Sequence, residues 1–263
     1  MVLFFVSNAA SRYPAMPQTP TPAEHFHAYN VWDAPTRWFH WINALTVFGL
    51  IVVGVMLLND DLLGLSADGK ILLKEIHVVL GYVMGLNLIW RFVWAFLGNR
   101  YARWSAILPF GSGFWGKLRA YGNAFLSGEP QEYIGHNPAA RLAVAVLLLL
   151  LVLQAATGVI LAGTDLFWPP FGRWFAGWVA AAGIDPAMVS PLAANTLDQT
   201  AYKAMRAFRS PVVTIHLYAF YVLSGVILLH LIAVIVTEIH EGGSIISAMF
   251  TGTKLLNRPP EDR

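Results

Sequence analysis

Ser210–His240, SPVVTIHLYAFYVLSGVILLHLIAVIVTEIH, is the stretch on which the reading of this chain turns. Between Pro211 and Thr237 it is almost wholly apolar, long enough for a helix to cross the hydrocarbon core of a bilayer. It nevertheless carries His216 and His230, fourteen residues apart. Fourteen residues make about four helical turns, so both imidazoles project from nearly one face, roughly 21 Å apart along the axis. No single ion bridges that distance. The spacing predicts two separate sites, one toward each membrane surface, with partners supplied from elsewhere in the chain.

Composition bounds what those sites can be. Of 263 residues, 57% are apolar and 12% charged, about half the charged fraction of a soluble domain. The apolar residues are bunched, which reads as an integral membrane protein. A formal charge of +2 is too small for nucleic-acid binding. The absence of cysteine excludes disulfides, thiolate-held iron–sulfur clusters and the C-x-x-C-H attachment of c-type haem. Any metal cofactor must rest on histidine, methionine or oxygen. The opening MVLFFVSNAA has a short apolar core and no basic flank, and reads as something other than a cleaved signal. Residues 1–30 read as a flexible leader, with His25 and His27 exposed to solvent.

Working outward, three more stretches reach spanning length: about 38–58, 71–97 and 139–162, with the fourth at 211–237. Aromatic residues such as Trp38, Trp41, Trp90 and Trp94 crowd their ends, as expected at headgroup level. The predicted fold is an all-α, four-helix membrane bundle over residues 31–253, closed by a tail at 254–263. The leader, the loop between spans two and three, and the tail carry nine basic residues: Arg12, Arg37, Arg100, Arg103, Lys117, Arg119, Lys254, Arg258 and Arg263. The opposite side carries six: Lys70, Lys74, Arg173, Lys203, Arg206 and Arg209. This bias places both termini in the cytoplasm. The loop 163–209 then faces outward, and its FGRWFAGWVAAAG segment reads as a helix lying in the membrane interface.

Four histidines fall inside or at the edge of spans: His40, His77, His216 and His230. Ionisable groups at that depth are costly and usually functional. The topology sorts them by level, His77 with His216 on the outer side and His40 with His230 on the inner side. Two imidazoles per site, no thiolates and apolar walls suit six-coordinate haem, whose other four ligands come from the porphyrin. Zinc would need further protein ligands, and only Glu75 and Glu238 lie near. Gly54 follows His40 by fourteen residues, so it lies on that face at the outer level. Gly81, Gly85 and Gly225 likewise leave room for a flat ring or for close helix packing. Arg91, fourteen residues after His77, is a candidate contact for an inner haem propionate or a snorkelling cation. His240 points about 80° away from the face of His230.

The motifs VWDAPTRWFHWINAL, HVVLGYVMGLNLIWRFVW, YIGHNPAAR and GGSIISAMFTG, in that order, resemble the cytochrome b subunit of membrane-bound nickel–iron hydrogenases. That group also includes the cytochrome b subunit of formate dehydrogenases. The resemblance implies two b-type haems, with His40 and His230 on the inner iron and His77 and His216 on the outer iron. It implies a bacterial inner-membrane protein that takes electrons from a periplasmic partner, the hydrogenase small subunit, through the outer and then the inner haem to quinone. His136, Asn137 and Glu238 are candidates for the quinone site or, equally, for helix capping. The outer loop is longer than the resemblance predicts, which leaves another periplasmic dehydrogenase or a c-type cytochrome open as donor. A haem-free transporter or proton channel with a histidine relay is the alternative of another class.

Overall fold

The computed structural model describes residues 26–129, 131–240 and 244–263. His25, the opening segment and the side chain of His240 lie outside them. The chain runs β1 (His27–Asn30), α1 (Ala34–Leu58), α2 (Ala67–Leu97), α3 (Trp104–Ile107), α4 (Phe114–Leu126) and α5 (Pro138–Asp165). It continues through α6 (Gly172–Val179), α7 (Gln199–His240) and α8 (Ile245–Thr251) to β2 (Thr253–Leu256). The four membrane spans are α1, α2, α5 and α7.

Each span starts earlier than hydropathy predicts, because capping chemistry sets where a helix begins. Asp33 accepts from Thr36 N with Pro35 in the first turn, and Ser66 accepts from Gly69 N. Asn137 accepts from Ala140 N ahead of Pro138. Asp198 Oδ1 takes the N–H groups of Thr200 and Ala201. Each such cap is worth about 1 kcal/mol. The fourth span changes most: α7 has 42 residues and continues through Pro211. Its first three turns fall within 163–209, the stretch that hydropathy assigns to a loop.

The bundle interior is built from Val47, Met84, Leu88, Leu148, Leu151 and Leu223, drawn from all four spans. Outward-facing residues are just as apolar: Leu45, Phe48, Leu86, Phe96, Leu149 and Leu229 are all exposed. That pattern is costly in water and satisfied in lipid. Between α5 and α7 the chain forms a small folded cap instead of a simple interfacial helix. Phe175, Ala176 and Val179 of α6 are buried against Val189, Leu197 and Met205, while Trp174 stays exposed.

The other end is closed by β1 and β2, antiparallel with His27 opposite Leu256 and Asn30 opposite Thr253. The four residues 27–30, within the segment read as leader, are therefore strand, and His27 is exposed there. Val31, Ile134, Ala248 and Leu256 form a third core beneath them. Arg37 Nη1 donates to Trp32 O at 2.9 Å and Thr251 O at 3.2 Å, and Trp41 Nε1 donates to Met249 O at 3.0 Å.

Candidate functional site

At one end of the bundle α2 and α7 bring His77 and His216 together edge to face. Their ring centroids are 6.3 Å apart and the ring planes meet at 72°. The two imidazoles line a cavity of about 340 Å³ that all four spans enclose, with Leu50, Gly54, Gly81, Met84 and Gly158 among its walls. Gly54 faces His77, where an added Cβ would meet Cε1 at 3.5 Å; Gly158 faces His216 in the same way at 3.6 Å. Gly54 thus sits at the level predicted from its spacing.

The orientation of His216 is set by α5, which the sequence reading left without a role. Thr157 Oγ1 lies 2.7 Å from His216 Nδ1 and 2.7 Å from Leu153 O. A hydroxyl has one proton. Directed at Leu153 O, it leaves Oγ1 to accept from Nδ1–H, so Nε2 keeps the lone pair a metal needs. Gln154 Nε2 donates to His216 O at 3.1 Å and steadies the same turn. Polar residues inside the apolar run of α5 are the signal that could have flagged Gln154 and Thr157.

These residues fit a bis-imidazole metal group. A metal–nitrogen bond of about 2 Å on each side, plus about 1 Å from nitrogen to ring centre, puts two trans imidazoles roughly 6 Å apart. The observed 6.3 Å matches that spacing. His77 Nδ1 is buried and has no protein partner.

Charge gathers at the mouth of this cavity. Asp165 at the end of α5 receives Arg209 of α7 through both carboxylate oxygens, Nη2 at 2.7 Å from Oδ2, and Lys74 of α2 at 3.2 Å. Three spans are tied by one carboxylate.

At the opposite end, His40 on α1 lies near His230 on α7. His40 Nδ1 is buried without a partner. Arg91 is only 4% exposed, lies 5.7 Å from the Phe39 ring centre, and has a buried Nη1 that bonds nothing. His136 packs at 4.7 Å on the Trp32 ring, with its Nδ1 enclosed and unpartnered. Its pKa is pushed down to about 3, by burial first and then by Arg91, Arg141, His230 and Lys254. His136 is therefore neutral at physiological pH. Nearby Asp33 is lowered: burial opposes this, but hydrogen bonds from Thr36, Asn99 and Trp94 outweigh it.

The other two quinone-site candidates have capping roles. Asn137 Oδ1 accepts from Ala140 N at 2.7 Å while its amide donates to Tyr121 Oη at 2.8 Å. Glu238 Oε2 accepts from Ile245 N and Ile246 N, holding the start of α8.

Four apolar spans enclosing paired imidazoles suit a membrane cytochrome of the b type. The model of the prokaryotic cytochrome b561 family matches residues 31–252, and the chain belongs to that family. It is a multi-pass protein of the bacterial inner membrane, it serves electron transport, and its class carries haem b. Membership sets aside the haem-free relay. Among its relatives, the probable Ni/Fe-hydrogenase B-type cytochrome subunit of Rhizobium leguminosarum bv. viciae is 29% identical over 86% of this chain and 88% of its own length. The corresponding hydrogenase 1 subunit of Escherichia coli K12 is 33% identical over 50% of this chain and 59% of its own length. That of Rhodobacter capsulatus is 37% identical over 43% and 46%.

Proposed function

We propose that this protein holds two b haems, His77 with His216 and His40 with His230, and carries electrons from a periplasmic redox partner to quinone. The observation that carries this reading is the 6.3 Å separation of His77 and His216 inside a glycine-lined cavity. Haem b supplies one-electron redox chemistry at each pair. The chain's part is to fix the pairs on one long helix, about four turns apart, so that both faces of the membrane are served. Arg91 supplies a buried guanidinium with an unpartnered Nη1 for a propionate on the His40/His230 side. His136, neutral and beside Arg91 and His230, is the group we assign to the quinone site.

The donor we infer is a nickel–iron hydrogenase, docking through its small subunit, by likeness to relatives that carry that name. Both termini are assigned to the cytoplasm. Four candidate spans and the pairing of β1 with β2 support their sharing one side; the choice of side rests on the distribution of Lys and Arg.

Purification in mild detergent tests the reading. The expected result is a reduced b-type spectrum, about two haems per chain, and a co-purifying nickel–iron enzyme whose hydrogen reduces the cytochrome. A colourless, folded protein overturns the haem assignment. A different co-purifying dehydrogenase or c-type cytochrome overturns only the donor.

Thr157→Val gives a finer check. Losing a hydrogen bond of about 1 kcal/mol to His216 makes the imidazole a poorer donor to oxidised iron, which should raise that haem's midpoint by about 40 mV. Redox titration with an unchanged midpoint would show that Thr157 does not tune the ligand.

A further inference from the structure

The loop that carries His136 is held from outside the segment that the family match covers. Residues 131–137, Gln131 to Asn137, lie inside the matched span of 31–252, whereas β1, β2 and everything after Gly252 lie beyond it. Yet that outside segment bonds the loop repeatedly. Asp262 accepts from Ile134 N at 2.6 Å and from Gly135 N at 2.8 Å, one N–H to each carboxylate oxygen. Lys254 Nζ donates to Tyr133 O at 2.8 Å. Glu132, only 4% exposed, accepts from Arg258 N at 3.1 Å and, through its backbone carbonyl, from Glu261 N at 2.9 Å.

The approach is close. An added Cβ at Gly135 would stand 2.8 Å from Tyr101 Cδ1 and 3.3 Å from Asp262 Oδ2, so only glycine lets the backbone lie there. Immediately downstream, Asn137 is pinned as the cap of α5. His136 therefore sits between two anchored points, Asp262 before it and the helix cap after it. The opposite wall of its slot is Trp32, whose N–H, like that of Val31, bonds Gly252 O just ahead of β2. The Trp32 wall is thus bonded by the last residue of the matched span, and the loop carrying the imidazole by the segment after it.

We propose that Asp262 is a positioning residue for His136, so that quinone affinity at the His40/His230 end depends on a carboxylate ten residues past the end of the matched span. This rests on the assignment of His136 to the quinone site. Two consecutive N–H groups taken by one carboxylate fix the backbone just ahead of the residue that carries the imidazole, and charge-assisted bonds are the strong ones. Removing the carboxylate frees the loop without touching the histidine pairs.

The test uses the haem-loaded protein in detergent, with His136→Ala, Asp262→Ala and the double variant. Binding of a short-chain benzoquinone is measured, together with hydrogen exchange of the peptide covering 131–137 and the midpoints of both haems. Asp262→Ala should speed exchange in that peptide and weaken quinone binding at least fivefold, with the His77/His216 haem unchanged. The double variant should bind no more weakly than His136→Ala alone, because both act through one group. Wild-type affinity in Asp262→Ala overturns the proposal, and so do additive losses in the double variant. If His136→Ala itself binds quinone normally, the quinone-site assignment fails and the proposal falls with it, a result distinct from the other two. Should Asp262→Ala not fold, Asp262→Asn, which keeps one acceptor oxygen, should show the same pattern at smaller amplitude, and wild-type affinity there overturns the proposal equally.

Discussion

Replacing His216 with alanine is expected to remove about half of the haem, leaving the pair His40 and His230 loaded. Truncation at that position takes away one imidazole of the facing pair and leaves its partner, His77, alone in the cavity. A single protein ligand cannot make the six-coordinate, low-spin centre that two trans imidazoles make. His230→Ala should do the converse. The measurement is pyridine haemochrome content per chain, with electron paramagnetic resonance to show which low-spin signal is lost. Full haem in either variant would sink the assignment of two bis-histidine centres. Because α7 carries one member of each pair, these two substitutions on one helix separate the sites.

The second large effect is on stability. Asp165→Ala removes the carboxylate shared by Arg209 and Lys74, and leaves two cations at the mouth of an apolar cavity. Asp165 and Arg209 side chains are 11% and 16% exposed, so solvent screens their pairing only in part. Breaking one partner of such a pair costs about 3 kcal/mol, since the surviving charge stays desolvated. For a chain of this size that lowers the thermal midpoint by about 6–12 °C. Removing both charges, as in Asp165→Leu with Arg209→Met, should recover much of the loss, because the penalty belongs to the orphaned charge. Equal melting of wild type and Asp165→Ala in detergent would show the triad to be a solvated surface pair.

The two ends of the bundle differ in how they are finished. The His77/His216 end is closed by a cap with its own apolar core of Phe175, Val179 and Met205 and by the Asp165 triad. The His40/His230 end is closed by a two-stranded sheet and by backbone bonds to Asp262 and Glu132. The cap is anchored to α7 itself, through the turns between Gln199 and Arg209. The surface of the cap is therefore continuous with the helix that carries His216.

Much of this was legible in the sequence because membrane spans are read from local composition. Apolar runs of spanning length, histidines at matched depths and the placement of Gly54 follow from helix periodicity and topology alone. What escaped was long-range or polar. Thr157 and Gln154 lie about sixty residues from His216 and meet it only because α5 packs on α7. Asp165 meets Arg209 across 44 residues. The start of α7 was read as loop because its charged residues lower hydropathy without opposing a helix. Asn137 and Glu238 have polar side chains at the right level, but backbone N–H groups nearer in the chain engage them first.

The sequence by itself determined the number of spans, the levels of the four histidines and the chemistry a cysteine-free chain can offer a metal. Those properties depend on residues near one another in the chain, where the helical rise and the bilayer thickness set the geometry. Tertiary structure alone decided that Thr157 orients His216, that Asp165 joins three helices, and that Asp262 and Lys254 bond the loop carrying His136 while Gly252 bonds Trp32 beside it. Each of those depends on a side chain meeting a partner from a distant element, and packing, unlike periodicity, is not written in any one stretch.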